Sequence, residues 1–416
     1  MRCLIWMAAL ALAASAQAQI RLPSLPPVTL PGAPLGALDP LAPASNALQA
    51  YADARRQAIS RLIRSNRRLI EADPHGDPIL RGEILAVGGD ERAARWSAAG
   101  FVVVQTHPID AAERLAVLKV PANLSTEKAL RELRAADPGG IYDYDHLYLG
   151  GGNLEQGKDS DTAPPSPPEG APPSRAKMPP RARIGLIDAG VDATHPAFRG
   201  SEIRSWGCEG KPVPSAHGTA VASLLVTRGP AEIDAADVYC GQASGGSVDL
   251  IAAALDWMAD EKVAVINVSL VGPRNLILER VVDALIARGH LLVAAVGNDG
   301  PAAPPLYPAA YPGVIGVTAV DGHRRVLIEA ERGPQVMFAA QGADLEAAGI
   351  DHREVAVRGT SFASPTVARL LALEVAAPDA PAARAAVEAL ARQAIDLGPP
   401  GRDLTYGFGL VGSESP

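Results

Sequence analysis

At 416 residues the chain has room for two domains with substantial cores. A formal net charge of −8 argues against nucleic acid as its main partner. Aromatics are only 4%, whereas 40 glycines and 37 prolines imply many turns and at least one unstructured connector.

The first stretch reads as an export signal over residues 1–18. Met1-Arg2 carries a positive charge, residues 3–14 are apolar, and Ala16-Gln17-Ala18 is a small-x-small cleavage site. The apolar run is too short for a permanent membrane anchor, and no later stretch is long enough. The mature protein is therefore expected outside the cell or in a periplasm. Loss of Cys3 leaves Cys208 and Cys240, a pair open to a disulfide in an oxidising compartment, with two buried thiols as the alternative.

Residues 19–45 are Pro-rich, without periodicity, and read as a disordered lead-in. Residues 46–78 follow. Leu48, Tyr51, Ile59, Leu62, Ile63, Leu69 and Ile70 recur at helical spacing among arginines, so an amphipathic helix is expected over 46–72, ended by Pro74 and Pro78. Such a basic helix ordinarily packs one face and solvates the other; contact with anionic lipid is the rarer use.

Residues 79–149 predict a small α+β, ferredoxin-like domain. Strands at 79–88, 101–105, 115–121 and 141–148 alternate with helices at 91–99 and 125–136, the order of a split βαβ unit. Ser125-Thr126-Glu127-Lys128 is a capping start for the second helix. The domain holds little chemistry: His107 precedes Pro108 and has no obvious partner. A small exported domain of this kind, ahead of a larger one, suggests a folding aid or an intramolecular inhibitor. Residues 150–181, with three consecutive glycines and repeated Pro-Pro pairs, form an exposed Gly/Pro-rich linker open to nicking.

Residues 182–416 alternate apolar strands with helices, which predicts an α/β domain with a doubly wound, mostly parallel sheet. A strand ends at Asp188, and His217 starts an apolar helix. A further strand runs into Gly297-Asn298-Asp299-Gly300. Gly359-Thr360-Ser361-Phe362-Ala363-Ser364-Pro365 leads into a helix apolar on most sides, with Val367, Leu370, Leu371 and Leu373. Pro365 is expected in that helix's first turn. Taken singly, Asp188 reads equally as a turn former, His217 and Ser361 as caps, and Asn298 as a turn residue. Together they supply an acid, a base, an amide donor and a nucleophile, each in a Gly-flanked turn.

These residues carry a family resemblance. Ile187-Asp188-Ala189-Gly190-Val191-Asp192, His217-Gly218-Thr219-Ala220, Val296-Gly297-Asn298 and Gly359-Thr360-Ser361 resemble the subtilisin-like serine proteases, in that family's order. The resemblance covers residues 182–411. It implies Ser361 as nucleophile, His217 as general base, Asp188 as its orienting acid, and Asn298 with the Ser361 N–H as oxyanion hole. It also implies Ser269, Leu270, Val271 and Gly297 as substrate-binding, with Val271 standing where the family commonly has Gly. The implied partners are a protein or peptide substrate and the chain's own N-terminal domain, which would be removed by self-processing. No cofactor is expected. A structural calcium stays open, since no oxygen-rich loop motif is present. Gly-x-Ser-x-Gly, His-Glu-x-x-His and phosphate-loop motifs are absent. The competing reading is a non-catalytic binding module on the same fold.

Overall fold

The computed structural model describes residues 44–150, 152–155, 181–242 and 245–413, with side chains of 44–52 and 152–155 left aside. The signal segment, nearly all of the lead-in and most of the linker lie outside the described residues.

The N-terminal part begins with α1 (Ala44–Ser65), β1 (Ile70–Ala72), β2 (Pro78–Gly88) and α2 (Asp90–Ala98). It continues with β3 (Val102–Pro108), β4 (Arg114–Lys119), α3 (Thr126–Ala136) and β5 (Ile141–Gly150). The four long strands pair antiparallel in the order β5-β2-β4-β3, the split βαβ arrangement expected from the sequence. Ser125 caps α3, its hydroxyl accepting from the Lys128 N–H. α1 stops at Ser65, short of the expected 72. The Asn66 side-chain amide donates to the Leu62 carbonyl, and the chain turns so that Ile70–Ala72 pairs with Pro78–Leu80. Ile70 and Leu69 thus serve a strand and its flank, although their spacing from Leu62 also suits a helix.

β6 (Gly152–Glu155) crosses to the second part. There follow β7 (Ala182–Asp188), β8 (Glu202–Trp206), α4 (Ala216–Leu224), β9 (Ala231–Asp237), β10 (Gly246–Ser247), α5 (Val248–Asp260), β11 (Val265–Val268) and β12 (Leu270–Val271). The remainder is α6 (Leu276–Ala287), β13 (Leu291–Ala295), β14 (Ile315–Val320), β15 (Val336–Gln341), β16 (Leu345–Ala348), β17 (Glu354–Gly359), α7 (Thr360–Glu374) and α8 (Ala380–Gln393). Seven strands form one parallel sheet, β15-β14-β13-β11-β7-β9-β8. Its inner strands β11, β13 and β14 are buried and largely apolar on both faces because helices cover both, whereas the edge strand β8 carries exposed polar residues. α4, α7 and α8 pack on one side, and α5 and α6 on the other. The strand order reverses between β7 and β11, which is where open α/β sheets place their sites.

α7 runs buried through the molecule, as its all-round apolar pattern implies, except that Leu373 is 45% exposed at its last turn. Pro365 sits in the second turn, not the first as expected. Residue 365, being Pro, has no N–H to donate to the Ser361 carbonyl, which instead accepts from the Ser269 hydroxyl at 3.1 Å.

The two parts are joined through β5. One face of the N-terminal sheet, with Leu85, Val87, Leu115 and Val117, packs into the α5/α6 core. Asp145 accepts from the first-turn N–H of Asp249 at 3.1 Å, and Asp143 from that of Leu276 at 2.8 Å. Each carboxylate therefore meets the positive end of a helix. His107 also finds a partner here: its Nε2 lies 2.9 Å from Asp249 Oδ1.

Candidate active site

The end of β7 delivers Asp188, fully buried, to the mouth of the sheet. Its Oδ1 accepts from the Ala189 N–H at 2.6 Å and lies 2.9 Å from His217 Nδ1. His217 is the second residue of α4, and the helix can come this close only because the next residue is Gly218. A Cβ there would lie 2.2 Å from the Ala189 carbonyl oxygen. The imidazole also packs against the Phe362 ring, with centroids 5.4 Å apart.

Burial alone would push the His217 pKa down, but the adjacent Asp188 carboxylate, by charge and hydrogen bond, outweighs it and raises the pKa above the ordinary 6.5. A base must be neutral to accept a proton, so the raised pKa moves the acid limb of activity upward. On peptide substrates kcat/KM is expected to rise about tenfold per pH unit on that limb and to level only above the ordinary imidazole value. Activity undiminished at about pH 5 would contradict His217 as the base.

Ser361 is the second residue of α7. Gly359 precedes that helix with φ 143°, a conformation that turns the chain sharply off β17 and that a side chain would resist. The Ser361 Oγ donates to the Ser269 carbonyl at 3.3 Å. His217 Nε2 is buried without a hydrogen-bond partner among the described residues. Asp188 and His217 are thus paired, while Ser361 is turned toward β12. What stands against His217 is Gly150: a Cβ on it would lie 3.5 Å from Nε2.

Asn298 follows β13. Its Oδ1 accepts from the Thr360 N–H at 3.0 Å, which fixes the amide. That leaves Nδ2 buried and unpartnered among the described residues, a donor held in wait for an acceptor. Gly297 donates to Thr360 Oγ1 at 3.2 Å and so braces the same turn.

The predicted substrate edge carries the chain's own strand. Leu270 pairs with Gly150 and Val271 with Leu149, antiparallel. On the other side Gly246 pairs with Tyr148 and Ser247 with Leu147. β5 is therefore threaded between two short edges, and β6 continues along β17, Gly152 opposite Gly359. Of the two edges that β5 joins, the family resemblance points to Leu270 and Val271 and not to Gly246–Ser247, for which Gly-Gly-Ser just before an apolar helix is the available signal. Ser269 contributes its carbonyl to Ser361, while its hydroxyl is spent on the α7 backbone and on the Asn267 amide at 2.8 Å. Val271, 1% exposed, is buried beneath β5.

Cys208 and Cys240 are bonded, with Cα atoms 5.1 Å apart. With Asp237 they form the one cluster of three His, Cys, Asp or Glu ligand atoms among the described residues, and the disulfide occupies both sulfurs. Among the described residues, no helix is long and apolar enough to cross a membrane.

The family model for the subtilase family matches residues 181–409. The minor extracellular protease Epr of Bacillus subtilis is 32% identical over 205 residues, 47% of this chain and 32% of its own. A thermophilic serine proteinase of Bacillus sp. strain AK1 is 34% identical over 209 residues, 46% of this chain and 51% of its own. The match thus spans between a third and a half of these relatives' length. Among solved structures, fervidolysin of Fervidobacterium pennivorans, described as a keratinolytic enzyme related to subtilisin, superposes with a TM-score of 0.65 at 20% identity. It covers 82% of this chain and 61% of that one. That is a likeness of fold, and it reaches beyond the family match into the N-terminal part.

Proposed function

From the premise that this chain belongs to the subtilase family, we propose that it is an exported serine endopeptidase that cuts off its own N-terminal part. Ser361 attacks the scissile carbonyl, and His217 takes its proton and passes it to the leaving amine. Asp188 holds the imidazole's tautomer and offsets its charge. The Asn298 amide and the Ser361 N–H stabilise the oxyanion. The Oγ must first leave the Ser269 carbonyl and turn toward His217 Nε2. Export rests on residues 1–18 and on an extracellular relative.

The observation that carries the reading is β5. It lies antiparallel between β10 and β12 and brings Gly150 against His217, as a peptide substrate would in β-augmentation. Until the chain is cut, the same strand excludes other substrates. The N-terminal part is then both template and inhibitor, held by the Asp143 and Asp145 caps.

Purified wild type compared with Ser361→Ala on a denaturing gel tests self-processing. Wild type is expected to yield a shorter form whose new N-terminus falls at or just after Gly150, and Ser361→Ala to stay whole. Two whole chains, or the same cut in both, would overturn it.

A further inference from the structure

The outward face of α1 carries a charge pattern unlike that of its neighbours. Residues 54–70 contain six arginines and no Asp or Glu. Two of the six are answered: Arg55 Nε lies 3.0 Å from Asp299 Oδ2, and Arg56 pairs with Asp53. Arg61, Arg64, Arg67 and Arg68 are exposed, and none has an acidic partner among the described residues. The other helices of the N-terminal part are built differently. In α2 Arg95 meets Glu91, and in α3 Lys128 meets Glu132 and Arg131 meets Glu127, each pair one helical turn apart. Such pairs are the ordinary lacing of a solvated helix face. α1 omits them on its outer side.

The four arginines are also held in place. Ile59 and Leu62 pack on Leu147 and Leu149 of β5, which turns Arg61 and Arg64, on the opposite side of the helix, toward solvent. Arg67 and Arg68 sit in a turn closed by the Ile70 N–H on the Asn66 carbonyl at 2.9 Å. Arg81 Nε donates to the Arg67 carbonyl, also at 2.9 Å. The apolar side of α1 is therefore spent on the protein, and what it offers outward is charge.

We infer that this arginine face is a docking surface for an anionic phospholipid membrane, and that it tethers the uncut chain there after export. Guanidinium groups fork two N–H donors onto phosphate oxygens, which lipid headgroups present as a continuous layer. Four clustered arginines suit the negative surface potential of such a layer. Because no apolar face is left to insert, the contact is electrostatic and reversible. The charges of the two parts give the tether a direction. Residues 44–150 hold 14 Arg or Lys against 14 Asp or Glu, whereas residues 181–416 hold 19 against 27. Once cut free, the catalytic part keeps its excess of acids and loses α1, so the same surface repels it. Export and release rest on the reading proposed above, whereas the docking does not.

Full chain carrying Ser361→Ala, so that it stays whole, is sedimented with vesicles of equimolar phosphatidylcholine and phosphatidylglycerol, and with vesicles of phosphatidylcholine alone. It is expected to go down with the first and not the second, and to be released when salt brings the Debye length to about 3 Å. Adding Arg61→Gln, Arg64→Gln and Arg68→Gln should weaken binding about a hundredfold, each arginine contributing several-fold. Arg95→Gln, Lys128→Gln and Arg131→Gln remove the same charge from α2 and α3, and should leave binding as it was. Equal binding to both kinds of vesicle, equal loss in both triple variants, or no loss in either would overturn the inference. So would binding to a DNA duplex without binding to the vesicles. With wild type, the released catalytic part should stay in the supernatant, and its sedimentation with the anionic vesicles would overturn the tether. Failure of the endopeptidase reading looks different: nothing is cut, while binding of the whole chain still follows the three arginines.

Discussion

Ser361→Ala is expected to lower kcat for peptide hydrolysis by about 10⁶, the magnitude known for the nucleophile of subtilisin itself. The size follows from what remains. Without the Oγ no acyl-enzyme forms, and the Asn298 amide and the cleft can only stabilise attack by water. The folded chain should be undisturbed, because the Oγ makes a single 3.3 Å bond to the Ser269 carbonyl. The Ser361 backbone carbonyl keeps its bond from the Ser269 hydroxyl. Assays of wild type and variant on one peptide, with matched circular dichroism, check this. A variant within about tenfold of wild type would remove Ser361 from the reaction.

Asp188→Ala is expected to cost about 10⁴ in kcat, again the order found for the acid of that enzyme's triad. It should leave a second mark, specific to this environment. The Asp188 carboxylate is what outweighs burial at His217. Without it the imidazole is left with the desolvation that lowers its pKa, so the acid limb of the residual activity should move to lower pH. The sign is fixed by the physics: a group held above its ordinary pKa by an anion falls when the anion goes. An acid limb that stays in place would mean that His217 is not the titrating base. Combined with Ser361→Ala, the loss should be no larger than for Ser361→Ala alone, since the two act as one unit.

The candidate active site is the more legible part of the sequence because its signals are local. Asp188 at a strand end, His217 before Gly218, and Ser361 after Gly359 each sit where backbone geometry and chemistry demand the same few residues. The parallel sheet was legible for a similar reason, since strands buried on both faces read as continuous apolar runs. The βαββαβ order of the N-terminal part followed from alternation and from the Ser125 cap.

The features that the sequence does not show depend on contacts between distant segments. The expected end of α1 lies too far along because Leu69 and Ile70 keep helical spacing, whereas Leu69 sits in a turn and Ile70 opens a strand. His107 shows no partner in the sequence because its partner, Asp249, lies on α5 of the other part. Nothing local in the sequence marks Asp143 and Asp145, and only the docking of β5 places them at the N-termini of α6 and α5. Pro365 fell one turn later than expected, tolerated because the Ser269 hydroxyl reaches the carbonyl it strands. Arg55 read as one arginine among many on a solvated helix, with Asp299 far away in sequence.

These tertiary contacts make the N-terminal part more than a passive leader. β5 supplies the strand, α1 covers it, and two carboxylates anchor it to helix ends. On the function proposed above, β5 lies across the mouth of the site between β10 and β12, and access to Ser361 would be the controlled step.

The most direct test is covalent. Purified chain, after its N-terminal part has been released, is treated with a fluorophosphonate and digested, and the adduct is located by mass spectrometry. The account predicts a single adduct on the peptide containing Ser361, lost in Ser361→Ala and suppressed as the pH falls through the His217 limb. No adduct on the released form, or an adduct on another serine that survives Ser361→Ala, would contradict it.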